Sequence, residues 1–194
     1  SLNASIMAGE QGVACVMYYG MPVQDAKARR SNFDEVALGY TREQAVTLRQ
    51  LLSHRSGLPS TNLDYMPGRG IPTLNQILDG KPPALNKPAI PEEVPGRGWT
   101  YSNIGYALIQ KILEDRLGKP LQEIAKEALF QPVGMDLSTF EYPLPEVLAR
   151  NEAMPHGKGG KLLPPELSSP AKAQGGLLTT PEELALVLVE LLKA

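Results

Sequence analysis

Two side chains in this sequence have the types and spacing for proton transfer beside a carbonyl. In Trp99-Thr100-Tyr101-Ser102-Asn103-Ile104-Gly105-Tyr106, a phenol and a carboxamide stand two residues apart where a loop enters an apolar-periodic run. From there both can project into one cleft. The Tyr101 phenol can move a proton, and the Asn103 amide can orient a substrate carbonyl. The same residue types also pack and cap helices, Asn being a favoured N-cap. Spacing alone leaves both readings open.

Few other side chains compete for a reactive role. The chain holds two histidines, His54 and His156, and one cysteine, Cys15. Neither histidine has a second ligand at suitable spacing, which argues against a metal site. A lone cysteine excludes an internal disulfide framework. No cofactor is expected. His54 reads as bonding a helix end and the loop after it, and His156 as a polar loop residue. Cys15 reads as a small core residue. Trp99 is either a wall of the cleft or a packing residue. The Tyr65-to-Gly70 loop could border a substrate groove, and Lys27-Ala28-Arg29-Arg30 reads as a solvated turn.

Helices are expected to hold these residues in place. Thr47 with Gln50 forms a capping box for the run through Ser53, closed by Gly57 and Pro59. Thr73 with Gln76 repeats the device before Ile77-Leu78 and a stop at Gly80. Ile104, Ala107, Leu108 and Ile112 carry a long helix from Asn103 through Leu117, stopped by Gly118. Pro120 opens another through Phe130, with Leu121, Ile124, Ala128 and Leu129 inward. Thr180 as N-cap, Pro181 in the first turn and Glu183 closing the box start the last helix. That helix is apolar on almost every side and must be buried on several. Residues 4–19, with Val13, Val16 and Met17 among small residues, read as a helix ending at Gly20. Residues 82–95 and 132–165 read as irregular. Strand signals are weak, with no Asn-Gly or Asp-Gly hairpin. The expectation is a mainly α, loop-rich single domain over 1–194.

Composition narrows the classes further. Among 194 residues, 42% are hydrophobic and 21% charged, which suffices for a core. Lys+Arg 19 against Asp+Glu 21 leaves a net charge of -2, with no basic excess for nucleic acid. No apolar run reaches the roughly 18 residues of a membrane span. Ser1-Leu2-Asn3-Ala4 has neither a charged start nor a hydrophobic run, so no signal peptide is read there.

Four segments together carry a resemblance. Leu51-Leu52-Ser53-His54-Arg55-Ser56-Gly57-Leu58 is similar to "LLSHTSGL", and Tyr101-Ser102-Asn103 to a Tyr-x-Asn motif. Leu129-Phe130-Gln131-Pro132-Val133-Gly134-Met135 is similar to "L-x-P-L-G-M". The run from Gly175-Gly176-Leu177 through Leu184-Ala185 is similar to "GGLxTTPxDLA". In this order, over most of 46–190, they resemble the serine β-lactamase and penicillin-binding-protein-like family. The branch is that of class C β-lactamases, D-Ala-D-Ala carboxypeptidases and esterases.

The resemblance implies an acyl-transfer mechanism. A serine in Ser-x-x-Lys attacks an amide or ester carbonyl, lysine and the Tyr-x-Asn tyrosine exchange its proton, and backbone N–H groups hold the oxyanion. Tyr101 then matches the general base or acid and Asn103 the substrate-orienting amide. The substrate would be a small acyl compound, namely a β-lactam, D-Ala peptide or ester. The compartment would be periplasmic or secreted. The nucleophile is not matched: near its expected place stands Ser5, with Ala8 where lysine is required. The third motif, Lys-Thr-Gly or His-x-Gly, should follow the Gly175-Gly176 entry, whereas His156-Gly157-Lys158-Gly159 precedes it. The chain therefore reads as a fragment, the helical insert domain of such a hydrolase. It lacks most of the central antiparallel sheet and is nearly inert alone. The alternative is a non-catalytic module binding peptide or cell-wall fragments. A scaffold with no cleft function would be favoured by a fully buried Tyr101. The apolar helix over 182–193 is expected to meet the sheet domain in the parent protein and to drive a homodimer in the isolated chain.

Overall fold

Side-chain caps decide where the helices begin. In the computed structural model, residues 46–66, 68–163 and 169–193 are described in full, and 3–8 and 14–19 as backbone strands. Helix α1 spans Leu48–Leu52; Thr47 Oγ1 accepts from Gln50 N at 3.2 Å and Gln50 Oε1 accepts from Thr47 N at 2.9 Å. Helix α2, Leu74–Asp79, repeats the reciprocal pair at Thr73 and Gln76, and Gly80 closes it in the left-handed region. Helix α3 spans Asn103–Leu117, capped by Ser102 and stopped by Gly118 at φ 65°. These starts and stops agree with the sequence. One differs: α1 ends at Leu52 with Ser53 as its C-cap, and His54 takes a left-handed turn (φ 56°) before Gly57 is reached.

The three helices share one core. Leu51 of α1, Ile77 and Leu78 of α2, and Ile104, Ala107, Leu108, Ile109 and Ile112 of α3 bury together, joined by Leu58, Leu63, Ala84, Ala89 and Ala171. Full burial of each large aliphatic contributes about 1.5–3 kcal/mol. Inside this core Gln110 is satisfied. Its Nε2 donates to Pro170 O at 3.1 Å and its Oε1 accepts from Ala173 N at 3.2 Å, fastening the 170–174 turn to α3.

The helix expected from Pro120 to Phe130 is interrupted. Helix α4 covers Leu121–Ala125, a π-turn covers Lys126–Phe130, and helix α5 covers Gln131–Val133. A π-turn adds a residue to its loop and rotates the side chains after it about the helix axis. Phe130 is therefore buried against Phe140, with centroids 6.0 Å apart, while Ala128 faces out, not in. Helix α6, Glu146–Ala149, is a single turn in an otherwise irregular stretch.

Helix α7 spans Pro181–Leu191, with Thr180 Oγ1 accepting from Glu183 N at 3.3 Å. Glu183 does not close the box. Its buried carboxylate instead accepts from Leu137 N at 2.6 Å and from Ser138 Oγ. Reciprocal Thr139–Leu178 bonds at 2.9 Å add to this tie. Several α7 side chains remain in water, Leu188 at 56% and Leu191 at 67%.

Residues 4–19 do not form the expected helix. Strands β1, Asn3–Ala8, and β2, Ala14–Tyr19, pair antiparallel with Asn3 opposite Tyr19 and Ala8 opposite Ala14. Ile6, Val16, Tyr18 and Tyr19 favour extended backbone. Gly9 and Gly12, between the strands in sequence, are the turn signal that the helical reading overlooks. Ser5 thus pairs with Met17, and Cys15 with Met7, within a hairpin. Their side chains, Val13, Gly20 and the Lys27-to-Arg30 turn lie outside the described residues. Elsewhere the described chain is mainly helical. No described helix is long and apolar enough to cross a membrane.

Candidate active site

Ser102 organises the Tyr-x-Asn segment. Its backbone is extended (φ −139°, ψ 107°), and its buried hydroxyl donates to Pro59 O at 3.0 Å while accepting from Gly105 N at 3.3 Å. Successive side chains along extended backbone point opposite ways. With Ser102 inward, Tyr101 stands outward before α3, and Asn103 opens the helix partly exposed. Tyr101 is 49% exposed, and its hydroxyl has no hydrogen-bond partner among the described residues. Asn103 is half-buried, with Nδ2 donating to Thr61 O at 3.5 Å. Ser102, not Asn103, supplies the cap, so capping does not account for Asn103. Nor is Tyr101 buried, the condition that would favour the scaffold reading.

The loop after α1 cradles this segment. Thr100 N donates to His54 O at 2.9 Å, Gly96 N to Arg55 O at 2.7 Å and Glu92 N to Gly57 O at 2.8 Å. Arg55 Nη2 returns a bond to Gly96 O at 3.3 Å, and the Tyr106 hydroxyl donates to Leu52 O at 3.1 Å. His54 joins helix end to loop as its sequence context implies: its N–H donates to Leu51 O at 3.2 Å, and its Nδ1 accepts from Ser102 N at 3.1 Å. Its ring centroid lies 4.6 Å from that of Tyr101 and 5.2 Å from that of Tyr106. Trp99 meets the same ring edge-on at 5.9 Å and is 63% exposed, so it stands outside the core.

The remaining sequence candidates are not gathered here. His156 is exposed and bridges to Leu162, a polar loop residue as read. Tyr65 bridges to Ala84, tying its loop to the residues after α2. Among the described residues no three His, Cys, Asp or Glu side chains group to hold a metal ion. Sequence reading passes over Ser169-Pro170-Ala171-Lys172, where the Ser-x-x-Lys letters do occur. Ser169 Oγ accepts from Ala171 N at 3.2 Å, and Ala171 is non-helical (φ −79°, ψ 71°). Serine and lysine therefore do not share a helical turn. Partial burial holds the Lys172 ammonium below its ordinary range, yet the turn sits at Gln110, about two helical turns beyond Asn103.

A helical body with a Tyr-x-Asn segment held by a Ser-His-x-Ser-Gly loop has the fold of the penicillin-binding-protein-like serine hydrolases. The Beta-lactamase family model matches residues 22–194, and the chain belongs to that family. It is 35% identical over 100 residues to penicillin-binding protein 4* of Bacillus subtilis (strain 168), covering 48% of this chain and 21% of that protein. It is 30% identical over 122 residues to the N-acetylmuramyl-L-alanine amidase of the same organism, covering 60% of this chain and 27% of the relative. Among solved structures, the D-amino acid amidase of Ochrobactrum anthropi SV3 is similar with a TM-score of 0.58 and 24% identity, over 76% of this chain and 44% of that one. A class C β-lactamase gives 0.56 and 22%, over 74% and 37%. The chain spans less than half the length of each of these proteins.

Proposed function

We propose that this chain is the helical domain of an acyl-transferring serine hydrolase, residues 1–194 forming one domain that lacks most of the central antiparallel sheet. In it Tyr101 moves a proton at the reacting centre and Asn103 orients the substrate's carbonyl. One observation supports the reading: the exposed Tyr101 and the half-buried Asn103 flank the buried Ser102 at the head of a helix rooted in the core. A phenol without a partner among the described residues is free to exchange a proton, and an amide that donates one Nδ2 hydrogen to Thr61 O keeps its second N–H for the substrate carbonyl. The substrate class is a small acyl compound such as a β-lactam, a D-Ala peptide, a D-amino acid amide or an ester, in keeping with the names of the similar proteins. The compartment that goes with it is periplasmic or secreted.

Alone, the chain is nearly inert. A serine hydroxyl attacks a carbonyl only when a neighbouring base takes its proton. Ala8 stands three residues after Ser5, and Ser169 with Lys172 lacks a shared helical turn. We also propose that the apolar face of α7 pairs two copies of the chain. Incubation with a chromogenic cephalosporin and a nitrophenyl ester tests inertness: the expected rate is that of buffer. Turnover that Tyr101→Phe abolishes overturns it. The missing base equally favours a second reading, a module that binds peptide or cell-wall fragments without chemistry. Saturable binding of a D-alanyl-D-alanine peptide, lost in Asn103→Ala, with no product released, selects that reading.

A further inference from the structure

We propose that His54 is the positioning residue for Tyr101, fixing where the phenol stands while touching no substrate itself. This deepens the reading of Tyr101 as the proton-transfer residue and rests on it, although the geometry does not. Tyr101 is half-exposed and makes no hydrogen bond through its hydroxyl among the described residues, so something other than core burial must define its place. The residues on either side of it, Thr100 and Ser102, both donate their backbone N–H to one residue. Thr100 N reaches the His54 carbonyl at 2.9 Å, and Ser102 N reaches His54 Nδ1 at 3.1 Å. The imidazole then covers the Tyr101 ring at a centroid distance of 4.6 Å, tilted by 41°. Backbone before, backbone after and ring between are all held by one residue.

Two further features favour a specific role over incidental packing. His54 is the only non-glycine residue with positive φ among the described residues, and a β-substituted residue adopts that conformation at a cost. Glycine would fit the turn without strain, but it would supply neither acceptor nor ring. Nδ1 can accept the Ser102 N–H only while it carries no proton, which places the ring proton on Nε2 and sets both tautomer and orientation. The ring also lies near Tyr106, with centroids 5.2 Å apart, and the Tyr106 hydroxyl is tied to Leu52 O at the end of α1. The imidazole thus meets both a ring tied to the end of α1 and the ring it positions.

Nuclear magnetic resonance of the isotope-labelled full chain tests this without depending on catalysis. In the wild type we expect scalar coupling across the hydrogen bond between the Ser102 amide nitrogen and His54 Nδ1, with Tyr101 ring signals displaced from random-coil positions. His54→Gly keeps the left-handed backbone and removes acceptor and ring. Its Tyr101 signals should collapse toward random coil while the methyl signals of Ile77 and Leu78 stay in place. His54→Asn tolerates the same backbone and restores a short acceptor, so the Ser102 amide should return toward its wild-type shift. No coupling in the wild type overturns the proposal. So do Tyr101 signals that His54→Gly leaves unmoved, or core signals lost equally in both variants, which mark a general structural role. The two readings fail separately: the coupling and the Tyr101 shifts decide the positioning, whereas the proton-transfer reading falls if Tyr101→Phe leaves turnover by the whole hydrolase unchanged.

Discussion

At Gly57 a β-carbon would stand 2.1 Å from the Glu93 carbonyl oxygen, and φ is +74°. The loop that cradles Tyr101 therefore needs glycine there on two grounds, close approach and left-handed backbone. Gly57→Ala should destabilise the fold by more than about 1 kcal/mol, read as a lower denaturant midpoint with unchanged slope. Gly105, beside Asn103, is the opposite case. A β-carbon there would meet Ser102 Oγ at 3.6 Å and Leu51 Cδ2 at 3.8 Å, ordinary contact distances, on helical backbone. Gly105→Ala should hold or raise stability by about 0.5–1 kcal/mol, because alanine loses less backbone entropy than glycine. A midpoint lowered as far as that of Gly57→Ala would rule out an open site on α3. Sequence alone does not separate these glycines, since each sits in a motif-like run. What separates them is a distant stretch of backbone for one and a helix interior for the other.

Helix starts are legible in the residues that make them. Thr47 with Gln50 and Thr73 with Gln76 bond within four residues of chain, so a local rule suffices. Glu183 misleads because the same letters serve a distant purpose: its carboxylate holds Leu137 and Ser138, 46 and 45 residues away. The π-turn at Lys126–Phe130 and the left-handed His54 are invisible in sequence for a similar reason, as tertiary packing decides both. The hairpin is within reach of sequence through Gly9 and Gly12, but apolar residues among small ones suggest a helix. Tyr101 and Asn103 stand out by type, whereas the inward Ser102 that aims them does not. Paired substitutions check this contrast of local and distant. Thr73→Ala should cost about 1 kcal/mol, the value of an exposed cap. Glu183→Ala should cost roughly 1.5–3 kcal/mol, since it removes two hydrogen bonds to a buried carboxylate, from Leu137 N and Ser138 Oγ. Thermal melts that ranked the two equally would mean that Glu183 acts only as a cap after all.

For the molecule as a whole, the proposed pairing of two copies rests on the exposed side chains of α7. Leu184, Leu188, Leu191 and Leu192 all stand in water, although the helix is fastened at its start by Glu183. Each such side chain forgoes roughly 1.5–3 kcal/mol relative to full burial. Contiguous exposed apolar residues on a rigid element mark an interface. A second copy suits this one because the helix is complementary to itself when turned end for end. A two-fold pairing centred near Val187 and Leu188 brings apolar residues together along its length and sets Glu182 of one copy opposite Lys193 of the other. Association driven by apolar area should survive high salt, since screening weakens only the charges at the rim. Sedimentation velocity at micromolar concentration should therefore find a dimer, and added sodium chloride should leave it intact. Leu188→Lys, at the centre of the pairing, should give monomers with an unchanged far-ultraviolet circular dichroism spectrum. A wild type that sediments as a monomer across that range, indistinguishable from Leu188→Lys, would mean that α7 tolerates its exposure without self-association.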